Sequence, residues 1–149
     1  MEERVAALVG FEAVAQVDDH ALTPAEEESL GSDAAAVATL TDRAWLDDPT
    51  RAEQVRPGLL SLGARYLSTL RDGRVLDPVA NFHLSNGASL ERLNWMANPA
   101  SYGIEESLGL MVNYRYDRAK IAANARAYLA DGAISTSSQV RNLVKTTKL

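Results

Sequence analysis

The chain has 149 residues, a length that fits one domain over 1–149, and its 46% hydrophobic and 23% charged residues can build a buried core. Cysteine is absent, which excludes disulfides, thiolate nucleophiles, cysteine zinc sites and iron–sulfur clusters. The two histidines, His20 and His83, are too few for a multi-histidine metal site, and a net charge of −5 argues against a general nucleic-acid partner.

In chain order, residues 2–17 carry Val5, Leu8, Val9 and Val14 as a loose helical stripe, and the sequence predicts a helix there. Thr23-Pro24-Ala25-Glu26 combines a capping threonine, a proline suited to the first helical position and a glutamate able to close a capping box. The run Glu26-Glu27-Glu28 reads as a solvated helix face rather than a metal site. A further helix is predicted over Asp33–Trp45, and another is entered near Pro57 and ended by Gly73. The character changes at Asp77-Pro78. Val79–Leu84 is short and apolar and reads as a strand, followed by the turn signal Asn86-Gly87. Leu108–Tyr116 alternates, with Leu108, Leu110, Val112, Tyr114 and Tyr116 on one face and Met111, Asn113 and Arg115 on the other. A helix follows from Asp117 to Gly132, and SSQVRNLVKTTKL forms a short terminal helix. The fold class predicted is α+β, helices followed by a small antiparallel strand set.

No apolar run approaches the roughly 18–20 residues that span a bilayer, so no membrane partner is expected. The acidic opening Met1-Glu2-Glu3 does not read as a signal peptide. The expected location is cytoplasmic, with a peroxisomal alternative because Thr147-Lys148-Leu149 resembles the Ser-Lys-Leu address.

Polar and aromatic residues concentrate between Ala80 and Met96. In strand geometry Asn81 and His83 would line one surface while Phe82 and Leu84 face a core. A histidine there can exchange a proton near neutral pH, although a lone histidine is more often a surface or satisfied core residue. His20, in an acidic loop, carries no assigned role. Tyr114 and Tyr116 could donate to a developing oxyanion, or could simply pack. Arg115, on the other face, could meet a phosphate or lay its stem along the surface. Asn94, Asn113 and Ser107 are donors without an assigned purpose. Neither a glycine-rich phosphate loop nor a Gly-x-Ser-x-Gly elbow is present.

DPVANFHLSNGASLERLNWMA, Asp77–Ala97, followed by SLGLMVNYRYD, Ser107–Asp117, resembles the malonyl-CoA decarboxylase family. The likeness is close over residues 57–117, loose over the helical segment 1–56, and leaves 118–149 as a helical tail. It implies the C-terminal half of an acetyltransferase-like (GNAT) catalytic domain. It also implies conversion of malonyl-CoA to acetyl-CoA and carbon dioxide, with no metal or organic cofactor. His83 matches the family's catalytic histidine and Tyr116 its active-site tyrosine. Asn81 joins them as a substrate-binding candidate from strand geometry alone. The family's Ser-Pro-x-Pro-Gly-Phe segment is absent from these 149 residues, as is its helical domain. The chain therefore reads as the C-terminal part of a decarboxylase, whose partners are malonyl-CoA and either a second copy or an upstream decarboxylase segment. Two other readings stand beside it: acyl transfer from coenzyme A, and a non-catalytic remnant or one half of a split enzyme.

Overall fold

A computed structural model of the chain describes residues 2–7, 22–31, 35, 39, 43–95 and 110–145. Helix α1, Pro24–Leu30, begins as its sequence dictates. The Thr23 hydroxyl accepts from the Glu26 N–H at 3.2 Å, and Glu26 Oε1 accepts from the Thr23 N–H at 3.0 Å. Glu26 is not solvated. It is fully buried, and its carboxylate accepts from Ser61 Oγ at 2.7 Å and pairs with Arg65 of the next helix, whereas Glu27 and Glu28 are exposed. Of the helix predicted over Asp33–Trp45, Ala35 and Thr39 are helical, and Trp45 lies in a turn of 3-10 helix, Arg43–Asp47.

Helix α2 runs Pro49–Ser68 and begins eight residues before the expected Pro57. Asp48 caps it, its Oδ1 accepting from the Thr50 and Arg51 N–H groups. Pro57 therefore lies inside the helix, where it removes one ladder hydrogen bond. A hydroxyl from α1 enters the ladder one residue on. Ser29 Oγ accepts from the Gly58 N–H at 2.9 Å and donates to the Gln54 carbonyl at 2.7 Å. Gly58 permits this approach, since a Cβ there would lie 2.6 Å from Leu30 Cγ. Gly73 does not end the helix. It turns the small hairpin of β2, Leu70–Arg71, and β3, Arg74–Val75, with positive φ at both Asp72 and Gly73.

The segment read as a strand, Val79–Leu84, is helix α3, Pro78–Ser85. Its ends explain why. Asp77 Oδ2 accepts from the Ala80 N–H at 2.8 Å, Pro78 stands at the first helical position, and Asn86-Gly87 caps the C-terminus rather than turning a hairpin. Helical spacing buries Ala80 and Leu84 together and leaves Phe82 61% exposed, so Phe82 does not face the core.

Strand β4, Ser89–Asn94, was not apparent in the alternation, because a bulge between Leu90 and Arg92 breaks its period. Strand β5, Met111–Tyr116, falls where predicted. The N-terminal segment differs: residues 2–7 form strand β1, Glu2–Ala7, paired antiparallel to β5 from Glu2↔Tyr116 to Ala7↔Met111. Sheet pairing overrides the weak helical preference of EERVAA, and the sheet order β1-β5-β4 makes β5 central. Residues 8–17 of that predicted helix lie outside the described residues. The outer edge of β4 is covered, since Leu90 exchanges backbone hydrogen bonds with Ser135 and Ser137. Helix α4, Ile121–Asp131, ends at Gly132 in the left-handed conformation, and α5 spans Ser138–Lys145. Leu59, Leu62, Leu67, Leu84, Leu90, Tyr114, Tyr128 and Val140 form the buried centre between α2, the sheet and the C-terminal helices. The architecture is α+β.

Candidate active site

His83 stands in the last turn of α3, so whatever orients that helix orients the imidazole. Asp77, fully buried at the start of α3, caps it and faces the Tyr66 hydroxyl of α2, which lies 3.4 Å from Oδ1. Asn81 ties the helix on another side. Its Oδ1 accepts from the Tyr128 hydroxyl of α4 at 2.7 Å, and that hydroxyl accepts from the Val75 N–H at 2.9 Å. Two helical residues are roughly 200° apart around the axis. Asn81 and His83 thus do not share a surface as strand geometry would have it, and the Asn81 side-chain carbonyl is engaged by Tyr128.

From β5, the two-residue period puts Val112, Tyr114 and Tyr116 on one face. His83 meets both tyrosines. Its Nδ1 shares a hydrogen bond with Tyr116 Oη at 2.6 Å. Its ring stacks on Tyr114, with centroids 4.2 Å apart and planes 20° from parallel. Phe82 approaches the imidazole edge-on at 5.2 Å. His83 and Tyr116 are half-buried and Tyr114 is fully buried, so the site is an aromatic slot with one wet side.

Burial pushes the Tyr114 hydroxyl far above the ordinary phenol value, and the Asp77 carboxylate, Tyr66 and Tyr116 push it the same way. Tyr66 is raised for the same first reason, with Asp77 again adding. Both stay neutral phenols at any physiological pH. Tyr66, Asp77 and Tyr128 escaped the sequence reading. The available signal was Asp77-Pro78, which repeats the cap-then-proline pattern of Asp48-Pro49.

The opposite face of β5 carries the polar side chains of Asn113 and Arg115. Arg115 Nη1 lies 3.4 Å from Glu91 Oε1, and both line a cleft of about 270 Å³ with Asp117, Lys120 and Asn124. Asn94 donates to Asn113 Oδ1 at 2.6 Å. His20, Ser107 and Thr147-Lys148-Leu149 lie outside the described residues. Among those described, no helix is long and apolar enough to cross a membrane.

The fold and the site together define an α+β domain in which a helix-borne histidine is held against two tyrosines of the central strand. The family model of the malonyl-CoA decarboxylase C-terminal domain matches residues 5–149, and the chain belongs to that family. It is 42% identical over 106 residues to the mitochondrial malonyl-CoA decarboxylase of Anser anser anser, covering 70% of this chain and 21% of that protein. The Rattus norvegicus counterpart is 41% identical over the same length, covering 70% and 22%. Crystal structures of malonyl-CoA decarboxylases from Rhodopseudomonas palustris and Agrobacterium vitis each superpose with a TM-score of 0.79 at 35% identity. Those alignments cover 95% and 97% of this chain, and 32% and 36% of the two enzymes. The chain thus spans about a fifth of the curated relatives' length and about a third of the solved ones.

Proposed function

We propose that this domain supplies the proton-transfer half of a malonyl-CoA decarboxylase active site, with His83 and Tyr116 as the catalytic pair. The observation that carries the reading is the 2.6 Å hydrogen bond between His83 Nδ1 and Tyr116 Oη, made between residues 33 apart in sequence. The substrate loses its carboxylate as carbon dioxide when the bond between that carbon and the methylene breaks. The electron pair passes into the thioester as an enolate, and one proton on the methylene carbon completes acetyl-CoA. Tyr116 donates to Nδ1, which holds the neutral imidazole as the Nε2–H tautomer and turns that N–H away from Tyr116. Nε2–H then steadies the enolate oxygen or delivers the proton while Nδ1 takes the Tyr116 proton, so that the imidazole stays neutral and solvent reprotonates the Tyr116 oxygen. General acid–base help of this kind contributes on the order of 10²–10⁴ in rate. Asn81 enters the proposal as support for α3 through Tyr128 rather than as a contact to substrate.

The test is a chimera in which this chain replaces the matching C-terminal third of the Rhodopseudomonas palustris enzyme, assayed for acetyl-CoA formation from malonyl-CoA. Turnover that His83→Ala abolishes supports the proposal. A folded chimera without turnover overturns it.

A further inference from the structure

Tyr114 is the least expected residue of the site. It is fully buried, and among the described residues its hydroxyl has no hydrogen-bond partner. A phenylalanine would fill nearly the same volume without burying an unpaired hydroxyl, which is ordinarily a costly arrangement. The ring, by contrast, has a close and nearly parallel neighbour in the His83 imidazole, 4.2 Å away. Tyr114 lies at the centre of the sheet, with β1 hydrogen-bonded on one side of β5 and β4 on the other, so its backbone cannot shift to follow the histidine. It is a fixed flat surface beneath a helix-borne ring.

We propose that Tyr114 is a positioning residue for His83: its ring fixes the plane of the imidazole so that Nδ1 meets Tyr116. The inference rests on the reading of His83 and Tyr116 as the catalytic pair. Tyr116 sets which nitrogen carries the proton, and Tyr114 sets the plane in which that choice is made. Three rings on two elements thus restrict the imidazole: Tyr114 from below, Tyr116 at the Nδ1 edge and Phe82 from the side. A ring fixed in this way needs no reorientation when substrate arrives, which is how an active site reduces the entropic part of its barrier. The function belongs to the ring and not to its hydroxyl.

The experiment compares Tyr114→Phe with Tyr114→Leu in the whole chain, using ¹⁵N-labelled histidine and reading the His83 nitrogen shifts. Tyr114→Phe retains the stack, so it should keep the wild-type tautomer signature and melt at the same or a higher temperature. Tyr114→Leu should replace that signature with a tautomer average, and in the chimera should lower kcat at least tenfold with little change in KM. A tautomer unchanged in Tyr114→Leu overturns the inference and leaves Tyr114 a core residue. Should Tyr114→Leu fail to fold, the wild type decides. Cross-relaxation between the Tyr114 and His83 rings should persist from pH 5 to 8, and its loss on protonation overturns the inference equally. Because these spectra need no substrate, an inactive chimera would count against the decarboxylase reading without touching this one.

Discussion

On one face of β5, Tyr114 is fully buried and Tyr116 holds His83, while one residue along, on the other face, Arg115 reaches Glu91 at the edge of a polar cleft. The backbone supplies both faces at equal cost, because successive strand residues point opposite ways. What separates them is water. The tyrosine face is roofed by α3 and backed by Asp77 and Tyr66, so each polar group there is either paired or raised in pKa. On the arginine face the paired side chains stay about one-third exposed, and solvent screens the charges. Substitutions of similar size should therefore act very differently on the two sides.

The largest effect belongs to His83→Ala. In the chimera it should lower turnover by about 10²–10⁴ and reduce stability by only about 1–2 kcal/mol, the worth of one hydrogen bond and a ring stack. Paired assays of turnover and chemical denaturation check this. A variant that loses stability but keeps its rate per folded molecule would erase the functional distinction between the faces.

Below it come substitutions under the roof. Leu84→Ala, at a side chain 1% exposed, should cost about 2–5 kcal/mol, whereas Phe82→Ala, 61% exposed, should cost under about 1 kcal/mol. A strand at this position would have predicted equal losses, so urea titration of the two variants also tests the helix. Gly87→Ala should cost about 2–4 kcal/mol. Its φ is +94°, and a new Cβ would sit 2.4 Å from the Ile121 carbonyl oxygen, where α3 ends against the start of α4.

These positions also show where sequence stops informing. Thr23-Pro24-Glu26 was legible because every partner of the cap lies within three residues. The tyrosine face of β5 was legible because a two-residue period needs only the strand itself. Asp77-Pro78 and Asn86-Gly87 were equally local, but the seven residues between them are too few to separate a 3.6 period from a 2.0 period. Two features were beyond local reading altogether. β1 is a strand because β5 lies beside it more than a hundred residues later, and a run such as EERVAA contains no trace of that. The Asn81 side-chain carbonyl meets Tyr128 once α3 is a helix, through a contact spanning 47 residues. His83 and Tyr116 were singled out by their motifs alone, whereas the 2.6 Å contact between them comes from the tertiary fold.

Alkaline titration gives a smaller but directional test of dryness. Tyr66 and Tyr114 are raised in the folded protein, whereas in the unfolded chain they ionise near the ordinary value of about 10. Above that pH the unfolded state has fewer bound protons, so the contribution of these two groups to stability should be constant below about pH 10 and fall as pH rises beyond it. Absorbance at the tyrosinate band, compared between the wild type and the Tyr66→Phe and Tyr114→Phe variants, should show these two hydroxyls ionising only on unfolding. Ionisation of Tyr66 or Tyr114 near the ordinary value in a still-folded protein would mean that the slot is wet.

The smallest effect is expected at Arg115→Ala. The pair with Glu91 is 3.4 Å apart, with 34% and 27% of the two side chains exposed, so its attraction is weakened by water and by the entropy of fixing two flexible side chains. The loss should be about 0.2–1 kcal/mol, most of it absent in half-molar salt, and a double-mutant cycle with Glu91→Ala isolates the pair's share. Turnover in the chimera should not change, because the guanidinium lies on the far side of β5 from His83. A loss above about 2 kcal/mol that salt does not relieve would show a desolvated pair, and the arginine face would then be as dry as the tyrosine face.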